Sequence, residues 1–75
     1  PRKLWIRFDD PTSYRDGAAD LKRIIDEHGG RDKVVIFIKS PKMRKELPPG
    51  QGVKADEALV RKLSERFGEN NVILA

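Results

Sequence analysis

Cysteine is absent from the chain, and tryptophan, tyrosine, histidine and methionine occur once each. Without thiols there is neither a disulfide framework nor a thiolate metal site, and a lone His28 cannot build a histidine zinc centre. The longest apolar run, Val34-Val35-Ile36-Phe37-Ile38, falls far short of the roughly 20 residues that span a bilayer. Pro1-Arg2-Lys3-Leu4 does not open a signal-peptide core, so the expected location is cytoplasmic. Ser13, Ser40 and Ser64 stand in no nucleophile-elbow or triad-like setting, which leaves hydrolase chemistry without a carrier. What is present in quantity is charge. Charged residues make up 37% of the 75 positions and apolar ones another 37%, the balance of a folded domain rather than a disordered tail. At this length the chain is one domain, residues 1–75, held together by packing alone. It starts at a strand-like segment without an initiator Met, and is read as a piece excised from a longer protein.

Leu4-Trp5-Ile6-Arg7-Phe8 alternates with a period of two, placing Leu4, Ile6 and Phe8 on one side of a strand and Trp5 and Arg7 on the other. From Tyr14 the apolar positions Ala18, Leu21, Ile24, Ile25 and His28 recur at steps of three and four, one stripe of a helix. Ser13 or Asp16 is the expected cap, with the helix starting between Thr12 and Asp16. Gly29-Gly30 is expected to close it in the left-handed conformation. Lys33 to Lys39 is apolar at both parities and should be the central strand. Ser40-Pro41-Lys42 then turns the chain into a short antiparallel partner, Met43 to Leu47, that ends at Pro48-Pro49. After the Gly50-Gln51-Gly52 loop, Asp56 to Phe67 forms a second amphipathic helix, stopped by Gly68. Val72-Ile73-Leu74 is the last strand.

The order β-α-β-β-α-β defines an α/β, two-layer architecture: a four-stranded mixed sheet with two helices on one face. Its expected centre is Phe8, Ile24, Ile36, Leu63, Phe67 and Ile73. A helix running through Gly into an apolar strand occurs twice, at Leu21 to Ile36 and at Leu59 to Leu74.

Three patterns invite a chemical interpretation. Gly50-Gln51-Gly52-Val53-Lys54-Ala55 spells a phosphate-binding glycine motif, but it follows Pro48-Pro49 rather than a buried parallel strand, so a glycine loop without a ligand is preferred. Asp9, Asp10, Asp16 and Asp20 crowd a strand end and a helix start, where acids also serve as turn formers and dipole partners. No cofactor and no metal is expected. The third pattern is electrostatic. Between Arg31 and Lys45 six cations face only Asp32, a local excess of +5 in a chain whose formal charge is +4. A hairpin bearing Lys39, Lys42, Arg44 and Lys45 suits a phosphate backbone or an acidic protein surface, or else guards a sheet edge against mispairing. Trp5 and Tyr14 lie elsewhere in the sequence, so no base-stacking platform is expected beside it, and any nucleic-acid contact should be indifferent to sequence.

Leu4-Trp5-Ile6-Arg7-Phe8, Leu21 to Gly30, Lys33 to Ile38, and Leu59 to Phe67 followed by Gly68-Glu69-Asn70-Asn71-Val72 together resemble the extreme carboxyl-terminal domain of bacterial replicative DNA polymerase III alpha subunits, the DnaE family. The resemblance runs over nearly the whole chain. It implies an incomplete Rossmann-like fold, although the element order can also be drawn as ferredoxin-like. It further implies a non-catalytic accessory module of a DNA-directed DNA polymerase, whose active-site carboxylates lie earlier in the parent chain. The implied partners are the tau subunit of the clamp loader and the preceding domains of the same polymerase. Single-stranded DNA, bound through the basic hairpin without sequence preference, is the alternative. The candidate contact residues are Lys39, Lys42, Arg44 and Lys45 on the hairpin, with Arg61 and Glu65 on the second helix.

Overall fold

Alternation decides which side of each strand is buried. A computed structural model, describing residues 2–48 and 52–74, shows β1 (Lys3–Phe8) burying Leu4, Ile6 and Phe8 on one face, while Lys3, Trp5 and Arg7 lie on the other. Strand β2 (Gly29–Ile38) lies parallel to it in a register that opposes Leu4 to Val34, Ile6 to Ile36 and Phe8 to Ile38. Six large apolar side chains are thereby stacked on one face of two adjacent strands. Helix α1 (Pro11–Glu27) makes the crossover between them and covers that face with Leu21, Ile24 and Ile25. Strand β3 (Met43–Glu46) runs antiparallel to β2, and β4 (Val72–Leu74) antiparallel to β1, giving the order β3-β2-β1-β4. Helix α2 (Glu57–Phe67) adds Leu59 and Leu63 to the same core, so both helices lie on one face of a mixed sheet.

The expected α/β architecture is therefore the one observed. The adjacency of β1 and β2 selects the Rossmann-like βαβ unit over the split arrangement of ferredoxin-like folds. The two helix-strand units, similar in sequence, diverge in use: α1 leads into a parallel central strand and α2 into an antiparallel edge.

Helix α1 begins earlier than the apolar stripe indicates. Asp10, not Ser13 or Asp16, is its cap: the carboxylate accepts the Ser13 amide at 2.8 Å, and Pro11 occupies the first turn, where a missing N–H costs nothing. Gly17 sits beneath Phe67; a Cβ there would lie 2.8 Å from the ring's Cε1 and 3.6 Å from Cε1 of Phe8. Its absence lets the rings of Phe8 and Phe67 meet edge to face at 5.5 Å, with Tyr14 on Phe8 at 5.3 Å. Such aromatic pairs add about 0.5–1.5 kcal/mol beyond burial alone.

Gly29 and Gly30 do not adopt the left-handed conformation; His28 is the C-cap, and both glycines open β2. Gly30 is needed for proximity instead, whereas a Cβ on Gly29 would meet nothing within 4 Å. Gly30 passes against the backbone of Val53 and Lys54, where a Cβ would stand 2.5 Å from the Lys54 nitrogen, while the Gly30 amide donates to Gly52 and the Lys54 amide to His28. Among the described residues Gly68, with φ 100°, is the one that uses positive φ, ending α2 as expected before the 3-10 turn Glu69–Asn71.

The core differs from expectation by one residue at β4. Val72 opposes Ile6 on the helix side and is buried, whereas Ile73 opposes Trp5 on the other side and is 55% exposed. Phe67 is half-buried, packed against the core's rim. Ile36→Ala should cost about 2–5 kcal/mol and leave the domain largely unfolded at room temperature. Ile73→Ala should cost about 0.5 kcal/mol or less, as for an exposed position. Urea melts of the two variants check the register directly, because a sheet slipped by one residue would reverse their order.

Candidate partner-binding surfaces

The β2–β3 hairpin projects from one edge of the sheet. Its β2 end is tied to the β1–α1 turn: the Lys39 amide donates to the Phe8 carbonyl at 2.8 Å, and that of Ser40 to Asp9 at 3.1 Å. The four hairpin cations are all exposed, and among the described residues none of them forms an ion pair. They do not form one patch. Lys39 and Lys42 ride on the turn, whereas strand alternation sends Arg44 and Lys45 to opposite faces. Lys45 shares the helix side with Tyr14, Leu21 and Leu47, lining a groove of about 260 Å³ between α1 and the edge strand. Arg44 turns to the open side, its guanidinium carbon 5.8 Å from the centre of the Trp5 ring.

Arg61 and Glu65 belong to a different surface. Both lie on α2, which packs toward β4 at the opposite edge from the hairpin. Arg61 pairs with Glu57 at 3.3 Å, and Glu65 lines a shallow cleft with Val60, Ser64 and Val72. The six sequence-selected residues thus divide between two edges of the molecule.

The remaining sequence patterns have structural employment. Gly50 and Gln51 of the glycine motif lie outside the described residues, and its later amides are already bonded: Lys54 donates to the His28 carbonyl at 2.7 Å and Ala55 to Asp32 Oδ2 at 2.9 Å. Val53 bridges to Gly29 and Asp32 and is fully buried, so this stretch fastens the loop to β2 rather than cradling an anion. Among the acids, Asp10 caps α1 and Asp20 grips Arg66 of α2 at 2.8 Å. Asp9 and Asp16 line a cleft of about 320 Å³ at the carboxyl end of β1, together with Arg7, Ser13 and Arg66. Both guanidiniums of that cleft are engaged, Arg7 by Asn71 Oδ1 and the Asn70 carbonyl, Arg66 by Asp20. No group of three potential metal-ligating side chains occurs among the described residues. Nδ1 of His28 lies 3.0 Å from the Ile24 carbonyl oxygen, a contact within the helix end. No helix is long and apolar enough to cross a membrane among the described residues.

A second surface was not evident in the sequence. The face of the sheet away from the helices carries Trp5 on β1 and Phe37 on β2, both half-buried, with Arg44, Arg7, Lys3 and Lys33 around them. Trp5, expected to lie away from the basic hairpin, is placed by the register beside Arg44 and on the same face as Phe37. Arg44 lies directly over Trp5, although 39 positions separate them in sequence. The signal was present as the odd-numbered alternation of β1 and the double parity of β2, but only the parallel register brings the two sets onto one face.

Comparison with known proteins gives one informative relation. The chain is 28% identical over 71 residues to DNA polymerase III subunit alpha of Bacillus subtilis (strain 168), a match covering 95% of this chain and 6% of that protein. This relates the chain to a segment of a replicative DNA polymerase subunit, of which it spans a small fraction. No family model matches the chain, and no solved structure matches it.

Four carboxylates are held below their ordinary values, near 3.8 for Asp and 4.5 for Glu. Asp10 is held down by the Ser13 amide, Asp20 by the Arg66 guanidinium, Glu27 by the Lys62 ammonium at 2.8 Å, and Asp32 by the amides of Arg2 and Ala55. Because folding lowers these values, the stability they contribute is complete above the ordinary carboxylate range and is lost as pH falls through the lower folded values. The melting temperature should therefore hold down to about pH 5 and decline below it. Asp32→Asn should lower it at neutral pH and make the acid decline shallower. Circular dichroism melts between neutral pH and strong acid read both effects.

Proposed function

We propose that the chain is a protein-docking domain of a replicative DNA polymerase alpha subunit, which helps to tether the polymerase to the tau subunit of the clamp loader and performs no chemistry of its own. The observation that carries this reading is the relation to DNA polymerase III subunit alpha across nearly the whole chain. Its position is the extreme carboxyl terminus of the polymerase, in the cytoplasm, packed beside the preceding domains. The catalytic carboxylates belong to the rest of the parent enzyme. Here Asp10, Asp20, Glu27 and Asp32 are occupied in holding caps, loops and helices. The hairpin cations supply the other support, since an acidic partner surface would find Lys39 and Lys42 exposed and, among the described residues, with no charge partner to displace.

Tethering needs only modest affinity. A second contact made by a domain already joined to its partner's assembly operates at an effective concentration in the mM range for short linkers, so a weak interface raises the avidity of the whole. The alternative, single-stranded DNA gripped by the same hairpin through its phosphates, is favoured by the same cations and differs in its response to salt.

Titration of the isotopically labelled chain with purified tau should shift resonances of Lys39, Lys42 and their neighbours. The double variant Lys39→Glu, Lys42→Glu should weaken that binding about tenfold or more. Spectra that stay unchanged at high tau concentration would remove the proposal. Shifts of Lys39 and Lys42 caused instead by single-stranded DNA, fading steeply as salt rises and abolished by the double variant, would establish the alternative.

A further inference from the structure

The sheet has a helix layer on only one side. Its other face is ordered by register into three rows. Lys33 and Lys3 form the first; Glu46, Val35, Trp5 and Ile73 the second; Arg44, Phe37 and Arg7 the third. The two rings stand on the two central strands, Phe37 one pleat further along β2 than the residue opposite Trp5, a diagonal spacing of about 7–8 Å. Cations bracket them on both sides, and the one acid of these rows, Glu46, is paired with Lys33 at 3.7 Å. Arg7 is held by the uncharged groups of Asn71 and Asn70, so it keeps its full charge.

We infer that this open sheet face binds single-stranded nucleic acid, stacking successive bases on Trp5 and Phe37 while Arg44 and Lys3 meet the phosphates. The composition favours this occupant over an apolar protein surface. An apolar protein surface packed flat on the sheet would have to bury Lys3 and Arg44, whose charges have, among the described residues, no acid to pair with on this side other than Glu46, already shared with Lys33. A polyanion with flat, exposed rings satisfies both halves of the surface at once. Base stacking on an aromatic side chain is tolerant of sequence, and the phosphates take the cations. In the free protein Arg44 rests on Trp5 at 5.8 Å, a cation–π contact that keeps the guanidinium on this face. An arriving base takes over the ring, and Arg44 moves to the phosphate beside it. The inference does not rest on the tau contact and uses a different surface from Lys39 and Lys42.

Trp5 is the chain's only tryptophan, so its emission reports on this face alone. Titration of the whole chain with oligothymidylate at low salt should quench Trp5 emission to saturation. The affinity should fall with a log–log salt slope of about −1.4, as for two phosphates met. Inorganic polyphosphate of matched charge should bind without comparable quenching. Phe37→Leu, which keeps the apolar volume and removes the ring, should weaken oligothymidylate about tenfold or more. Lys39→Glu with Lys42→Glu should leave the quenching amplitude intact. Emission unmoved by oligothymidylate in a chain whose circular dichroism is native would overturn the inference. So would equal quenching by polyphosphate, an unweakened Phe37→Leu variant, or a Trp5 response confined to added polymerase domains, which would assign the face to protein.

Discussion

Every other feature of the molecule is referred to the parallel pairing of β1 with β2. That ladder sets Leu4, Ile6 and Phe8 beside Val34, Ile36 and Ile38, creating the apolar surface on which both helices rest. A parallel pair cannot be closed by a tight turn; it requires a crossover, and α1 supplies it at the length needed to return to the start of β2. The antiparallel strands are then additions to the two outer sides, β3 by a hairpin and β4 after the second helix. The same register that concentrates aliphatic side chains under the helices collects Trp5, Phe37 and the cations on the reverse. One pairing therefore defines the buried core and the exposed surface together.

What could be read in the sequence follows from how local the deciding interaction is. The existence of the strands, both helices and the stop at Gly68 is written in short-range periodicity and turn chemistry, while two starts lie earlier than the pattern places them, α1 at Pro11 and β2 at Gly29 instead of Lys33. Asp10 was obscured because Ser13 and Asp16 are also capping residues; the choice among them was made by Pro11, which fits the first turn and fixes where the helix begins. Gly29-Gly30 has the composition of a helix stop because glycine permits positive φ, but the constraint is at Gly30 alone, where Val53 and Lys54, more than twenty residues away, approach. No local pattern encodes that distance.

The same limit explains β4 and the candidate surfaces. Three consecutive apolar residues, Val72-Ile73-Leu74, do not reveal which parity faces the core, and the antiparallel register with β1 gave that place to Val72. Lys39, Lys42, Arg44 and Lys45 are contiguous in sequence and read as one patch, yet Arg44 and Lys45 leave a strand in opposite directions. Cations adjacent in sequence were separated by the pleat, and aromatics distant in sequence were brought together by the ladder.

The distribution of charge has a structural origin. Asp10 and Asp56 accept the first free amides of the two helices, Asp32 clasps the amino-terminal segment and the loop before α2, and Asp20 and Glu27 bind Arg66 and Lys62 across the helix pair. These are places where a carboxylate is the better group, since unpaired N–H donors and helix amino termini attract negative charge. Among the described residues the hairpin cations Lys39, Lys42, Arg44 and Lys45 form no ion pair and stand exposed. A domain with only a modest excess of positive charge thus presents a more positive exterior at the hairpin than its composition indicates, because acids elsewhere on the surface are engaged with amides and with cations of the helix pair. Recognition of an anionic partner is then a consequence of how the fold is secured.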